Sequence, residues 1–340
     1  MANETAIGWT DLSWNPVHGC SVVSPGCAHC YAATLSLQRG HTSKPWTPQN
    51  AAENVLLKPK KLREPFSGAK VWRGLGDAAA RAGKTDGKLV FVNSMSDLFH
   101  EEVPDEFIAQ VWATMMLAEK HTFQVLTKRP ERMHALLTSW SFCKKIIAAI
   151  HASKRANAFI YGDVLYEDGF SALTNIWLGV SIENRRYVDR ADVLRETPAA
   201  VRFISAEPLL GPLVKNYEQL LDPCGETHQR WSDGSDLPDL DLTDIDWLIV
   251  GGESGPGHRP MREEWVRDLR KACRQIAPSC DCQARSFGGV EYHERRCASR
   301  GGTAFFVKQG SGPRAGQQGD LPDDLWRFKE FPQVREAVLA

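Results

Sequence analysis

The sequence predicts an α/β fold, a partial (β/α) barrel of the TIM type carrying loop insertions, and three observations lead there. Short runs of β-branched and aromatic residues recur along the chain, helical patterns lie between many of them, and the six clearest runs all end in hydrogen-bonding or ionisable groups. Continuous apolar runs mark strands covered on both faces. Strands alternating with helices mark a parallel sheet with right-handed crossovers. An open α/β sheet is the alternative arrangement of the same elements.

Taken in order, the run Leu89 to Val92 leads into Asn93-Ser94-Met95-Ser96-Asp97, and Phe123 to Leu126 leads into Thr127-Lys128-Arg129. Pro104 opens a helix through Ile108, Val111, Trp112 and Met115; Pro130 opens another through Met133, Leu136, Leu137 and Trp140. Proline suits the first turn, where its missing N–H costs nothing. Ile176 to Val180 ends in Ser181-Ile182-Glu183-Asn184, and Val201 to Ile204 in Ser205-Ala206-Glu207-Pro208. Trp247 to Val250 ends in Gly251-Gly252-Glu253-Ser254, a helix follows through Trp265, Val266, Leu269 and Ile276, and Ala304 to Val307 ends in Lys308-Gln309. Polar groups at successive strand ends form the ligand-binding face of parallel barrels and open sheets alike.

Composition narrows the class. With 340 residues, 42% hydrophobic and 24% charged, the chain can bury a full core and is neither collagen-like, coiled coil nor disordered. Forty-one basic and 42 acidic side chains, a net charge of −1, argue against a protein that coats nucleic acid broadly. A local strip of Lys58, Lys60, Lys61, Arg63 and Lys70 remains for phosphates. No apolar run reaches the ~20 residues of a membrane span, and Met1 to Thr5 lacks the features of a secretory signal. The expected location is therefore the cytoplasm, without membrane partners. Thiols there rarely pair as disulfides, so clustered cysteines point to metals or redox chemistry.

Of nine cysteines, Cys20, Cys27 and Cys30 lie in one turn-rich loop with Pro16, Gly19, Pro25 and Gly26. Three thiolates from one loop suit a cubane iron–sulfur cluster whose fourth iron stays open. Zinc completed by His18 or His29, or three buried structural cysteines, are the competing readings. A second group, Cys280, Cys282, His293 and Cys297, supplies zinc-type ligands amid Arg285, Arg295, Arg296 and Arg300. It reads as a zinc knuckle, a second iron–sulfur site or unliganded thiols in an insertion. The aspartate-rich stretch 222–246 reads as a solvated acidic loop. The expected organisation is a barrel over 1–278, the Cys/His insertion over 279–302, and the last strand and tail over 303–340.

The three-cysteine loop resembles that of the radical S-adenosylmethionine superfamily. More closely, Trp14-Asn15-Pro16 through Cys30-Tyr31-Ala32 is similar to a phage- and prophage-encoded family of radical-SAM-like proteins without a known substrate. The likeness runs on through Phe91 to Phe99, Leu126 to Pro130, Ser205 to Leu209 and Gly251 to Gly255. It implies a barrel of the radical SAM kind, with a four-iron four-sulfur cluster on Cys20, Cys27 and Cys30 and S-adenosylmethionine on the open iron. It also implies an electron donor, reductive cleavage to a 5′-deoxyadenosyl radical, and, for a phage protein, the host cytoplasm. Two departures stand out: the first cysteine gap is six residues where three is commonest, and Gly251-Gly252-Glu253 follows a late strand, whereas the superfamily's Gly-Gly-Glu follows the second. Asp97 is thus the candidate for the methionine amine, with Ser94 or Ser96 assisting and Asn93 beside them. His29 falls where an aromatic residue often meets adenine, Lys128-Arg129 and Lys308 suit an anionic substrate or the cofactor carboxylate, Glu253 suits ribose or substrate, and Glu207 is a further cofactor-binding candidate. A distant likeness to the lyase that reverses spore DNA photoproducts suggests a nucleic-acid base or nucleotide as substrate. The alternative is a non-catalytic metal-stapled phage protein that binds nucleic acid or a host factor.

Overall fold

A computed structural model describes residues 3–5, 7–155, 173–214, 237–274 and 302–332. Its frame is an eight-stranded sheet in the order β1-β2-β5-β6-β7-β8-β9-β10. The strands are β1 (Asn3–Glu4), β2 (Leu12–Trp14), β5 (Leu89–Val92), β6 (Thr122–Thr127), β7 (Ile176–Ser181), β8 (Arg202–Ala206), β9 (Trp247–Gly251) and β10 (Ala304–Gln309). Only β1 runs antiparallel to its neighbour; the other seven are parallel throughout. A small hairpin of β3 (Val17–His18) and β4 (Leu56–Leu57) sits outside this sheet.

The sequential strand order decides the architecture. Right-handed crossovers that always step to the next strand on the same side lay every helix on one face, so the sheet curls into a half-barrel. Alternation along the strands confirms two separate layers. Val90, Val92, Val125, Leu178, Val180, Ile204, Leu248, Val250, Phe305 and Val307 pack outward against the helices. Leu89, Phe91, Trp177, Phe203, Trp247, Ile249 and Phe306 form the inner layer with Trp9 and Phe331. The inner layer is a plug of aromatic rings: Trp247 lies 6.1 Å from Trp9 and from Trp177, 6.0 Å from Phe203 and 5.3 Å from Phe331, ring centre to ring centre. Gly179 makes room for it, since a Cβ there would come within 2.4 Å of the Phe203 ring.

The helix opened by Pro104 spans Asp105–Leu117 and is almost wholly buried. That opened by Pro130 stops at Leu137, and a new helix starts at Trp140, leaving the indole 44% exposed rather than packed as the apolar spacing suggested. Ser139, in extended conformation between the two, breaks the pattern. The third ends at Arg274, with Ile276 outside the described residues. Asp246 corrects the reading of 222–246 as solvated: it is buried, and its Oδ2 accepts the Arg202 N–H at 2.8 Å to start β8. Among the described residues no helix is long and apolar enough to cross a membrane.

Candidate functional site

Because side chains alternate along strands, continuing the inner layer in steps of two residues carries Asn93, Ser181, Glu207, Gly251 and Lys308 to its C-terminal rim. There the Lys308 ammonium donates to Glu207, and Lys128 Nζ lies 3.4 Å from Ser181 Oγ. Gly251 leaves the space Glu207 fills; a Cβ would approach its side chain to 3.1 Å. The rim is therefore polar and charged, directly above an aromatic floor.

The cysteine loop leaves β2 and crosses this rim. Asn15 starts it: its Oδ1 accepts from Met95 N at 2.9 Å and Ser94 Oγ at 3.2 Å. Asn93 holds a left-handed backbone at φ 61°, a conformation asparagine tolerates better than most residues, and its Oδ1 accepts from Val17 N. Ser96 Oγ donates to Val17 O at 2.8 Å, and Gly19 N donates to Met95 O at 3.0 Å. Gly19, at φ +83°, lies so close to the Asn54 carbonyl that a Cβ would come within 1.8 Å. The β2 and β5 tails thus clamp the loop along its first half. Ser94 and Ser96 are spent on that clamp, and Tyr31 adds a hydrogen bond from its hydroxyl to Ser94 O.

Asp97 and Arg129 anchor the second half. Asp97 is buried and accepts from Phe99 N, Lys128 N and Thr127 Oγ1 at 2.8–3.0 Å. Its Oδ2 lies 3.4 Å from the Arg129 guanidinium. Arg129, 5% exposed, in turn donates toward Cys20 Sγ at 3.5 Å, to Ser21 Oγ at 3.1 Å and to Glu101 at 3.0 Å. Burial opposes its charge, but Asp97, Cys20 and Glu101 together hold it firmly protonated. Ser21 Oγ also meets His100 Nε2 at 2.8 Å, and burial keeps that imidazole neutral, lowered to about 4.

All three thiols are half-buried and unpaired. Burial, then the Asp97 charge, pushes Cys20 up to about 12 against the pull of Arg129. Burial also raises Cys30, offset by the backbone N–H groups of Ala33 and Ala32 at the start of the helix Tyr31–Gln38 and by the Lys128 charge. Cys27 lies within electrostatic reach of both. His29 turns away from metal duty: its Nδ1 lies 3.0 Å from Glu253 Oε2. Glu253, 4% exposed, also accepts from Arg259 N at 2.8 Å and from its guanidinium. Burial raises this carboxyl, yet the Arg259 contacts and His29 outweigh it and hold the group below the usual range. His18 is lowered to about 4, by burial and then by Lys58, and stacks edge-on with His41 at 5.5 Å.

The structure therefore brings Cys20, Cys27, Cys30, Asp97 and Lys128 into one neighbourhood, with His29 and Glu253 paired along it and Glu207 on the opposite rim strands. Three participants are not singled out as site residues by the sequence, although Asn15 lies in the Trp14-Asn15-Pro16 motif and Glu183 in a polar strand-end tail. Arg259 reaches Pro25 O at 3.0 Å from a loop without periodicity. Glu183 is fully buried beneath Gly26, with one oxygen 3.2 Å from Arg190 and the other, Oε1, without a hydrogen-bond partner. Cys280, Cys282, His293 and Cys297 lie outside the described residues. Among the described residues, no three His, Cys, Asp or Glu side chains converge as ligands of a single ion would.

A mixed half-barrel with a three-thiol loop over its C-terminal rim is the class of molecule defined so far. The chain belongs to a family described as protein of unknown function (DUF5131), whose family model matches residues 4–304. No curated protein and no solved structure gives a significant match.

Proposed function

We propose that this chain is a radical S-adenosylmethionine enzyme whose four-iron four-sulfur cluster is held by Cys20, Cys27 and Cys30. The reading rests on one observation: three half-buried thiols of a single loop share a neighbourhood at the polar mouth of a half-barrel, with Cys27 electrostatically coupled to both others. The donor set fits the group. Thiolates are the ligands iron–sulfur clusters take, and a cluster of several irons would be held by Cys20, Cys27 and Cys30 without their meeting at a single ion. Tetrahedral zinc would need sulfurs about 3.8 Å apart at its ~2.3 Å bond length, together with a fourth ligand, and His29 is engaged with Glu253.

When bound and reduced, a cluster held by Cys20, Cys27 and Cys30 would supply, together with S-adenosylmethionine, adenosyl-radical chemistry. The chain's own residues prepare the place. Arg129 offers a fixed positive charge to Cys20, and Lys128 with the helix N-terminus does the same for Cys30, favouring the deprotonated ligands. Asp97 holds Thr127, Lys128 and Arg129 in register so that this charge stays put. Lys308 and Glu207 present a cation and an anion to polar groups of a bound molecule. The aromatic plug beneath excludes water from the floor.

For substrate, we propose a nucleic-acid base or nucleotide, with Lys58, near His18 and the cysteine loop, as a phosphate contact. Anaerobic reconstitution should yield a brown protein absorbing near ~400 nm, and reduction with S-adenosylmethionine should yield 5′-deoxyadenosine. Serine at any of Cys20, Cys27 or Cys30 should abolish both. A colourless protein that takes up zinc on the same cysteines would instead favour the metal-stapled binding module.

A further inference from the structure

A guanidinium carries five N–H groups, and Arg129 commits all of them around the first cysteine. Its Nε donates to Glu101 at 3.0 Å. One terminal nitrogen donates to Ser21 Oγ at 3.1 Å and Ser21 O at 3.4 Å, the other to Asp97 Oδ2 at 3.4 Å and Cys20 Sγ at 3.5 Å. The serine it grips is itself fixed. His100 Nδ1 accepts the Glu102 N–H at 3.1 Å, which leaves the ring proton on Nε2, and Nε2 lies 2.8 Å from Ser21 Oγ. A lysine, with one nitrogen, could not span these acceptors. Arg129 is only 5% exposed, so salt and water screen it little.

One of these donors is aimed at sulfur. A thiol is a weak acceptor, and a charged N–H turned toward it gains little while the sulfur is neutral. A metal-bound thiolate carries negative charge, and the same N–H then makes a charge-assisted bond. The contact is therefore matched to the ligated form of Cys20. Hydrogen bonds to the ligand sulfurs and nearby net charge are among the means by which a protein sets the potential of an iron–sulfur centre. Uptake of one electron adds a negative charge and neither forms nor breaks a bond. A fixed cation at a ligand sulfur stabilises that state more than the oxidised one. Asp97 and Glu101 act the other way, but they stay in place when Arg129 is replaced, so the sign of its own effect does not depend on them.

We propose that Arg129 sets the reduction potential of the centre at Cys20, holding it above the value the three thiolates alone would give. The inference rests on the cluster reading above and gives Arg129 a role exerted through Cys20, without contact to substrate.

The test is anaerobic reconstitution of the full chain without S-adenosylmethionine, then a redox titration with dithionite read at the band near ~400 nm. Arg129→Gln should shift the midpoint to more negative potential. Glu101→Gln, at a side chain 66% exposed, should shift it the other way and by less, because water screens that charge. Opposite shifts separate tuning from a loosened loop, which would lower the cluster content and leave the midpoint of the loaded fraction where it was. Where Arg129→Gln loads too little cluster, Arg129→Lys, which keeps the charge and loses the fork, is read by the same criterion. A midpoint equal to or above the parent's in the Arg129 variant, or a fall in Glu101→Gln, overturns the proposal. A parent chain that forms no iron–sulfur absorbance removes the cluster reading and this inference together, whereas a loaded parent whose variants keep its midpoint removes this inference alone.

Discussion

His121 is fully buried between Trp72 and Phe123, and its Nδ1 accepts the Lys88 N–H at 3.2 Å. Burial lowers it to about 4, from an ordinary 6.5. Above 6.5 both folded and unfolded chains carry it neutral. As pH falls from 6.5 toward 4 the unfolded chain takes up the proton first, so stability drains across that window. At about 1.4 kcal/mol per unit, the loss from this residue is on the order of 3 kcal/mol, and His18 and His100 act in the same direction. Denaturant titrations at pH 7 and pH 5 should show the drop, and His121→Asn should flatten it while lowering stability at pH 7. Arg129 makes the opposite case, a buried charge that must stay charged. Arg129→Met leaves the buried Asp97 charge to its three neutral donors and should cost about 3 kcal/mol, measurable by the same titration. The sequence placed Asp97 at the rim beside the cysteine loop, but its partners Thr127 and Arg129 come from the next strand end. No spacing rule reveals whether such a carboxylate faces a ligand or its own scaffold.

Strands were the most legible elements, because a strand covered on both faces is mostly apolar, and the six runs all became strands of the sheet, two of them with a buried polar residue, Gln124 and Arg202. The first strand of the parallel set, Leu12–Trp14, is too short to show as a run. The short helix Asp77–Arg81 has no amphipathic stripe either, being mostly alanine. What fixes it is Asp11, whose carboxylate accepts Ala78 N at 2.8 Å, Ala79 N at 3.2 Å and Leu89 N at 2.8 Å. One side chain thereby ties a helix N-terminus to the start of β5, 78 residues further on. Gly76 permits it, since a Cβ there would overlap the carboxylate at 2.1 Å. Asp11→Ala leaves three N–H groups without this acceptor and should cost on the order of 2–3 kcal/mol. Asp11→Asn, which keeps one acceptor oxygen, should recover part of it. A thermal-melt comparison of the two variants checks this ordering.

At the scale of the whole molecule, a half-barrel has a problem a closed barrel lacks: among the described residues no strand covers the open side of its inner aromatic layer. Here the segment after β10 supplies the cover. Trp247 Nε1 donates to Glu330 O at 2.9 Å, Glu330 Oε2 accepts Phe305 N at 2.9 Å, and Arg270 donates to Glu330 Oε1 at 2.9 Å. Phe331, pinned by these bonds, lies 5.3 Å from Trp247 and 5.5 Å from Phe306, ring centre to ring centre. The sequence shows a tail beyond the last strand without saying what it covers, because two adjacent residues form no periodic face. If this segment seals the floor on which the rim chemistry sits, Phe331→Ala should cost about 3–5 kcal/mol and make the Trp247 indole accessible. Acrylamide quenching and binding of a hydrophobic dye should both rise well below the unfolding midpoint. Glu330→Gln, which keeps the backbone bond to Trp247 while weakening the Arg270 pair, should do so only slightly. Equal quenching in Phe331→Ala and the parent chain would mean that the aromatic layer closes without its tail.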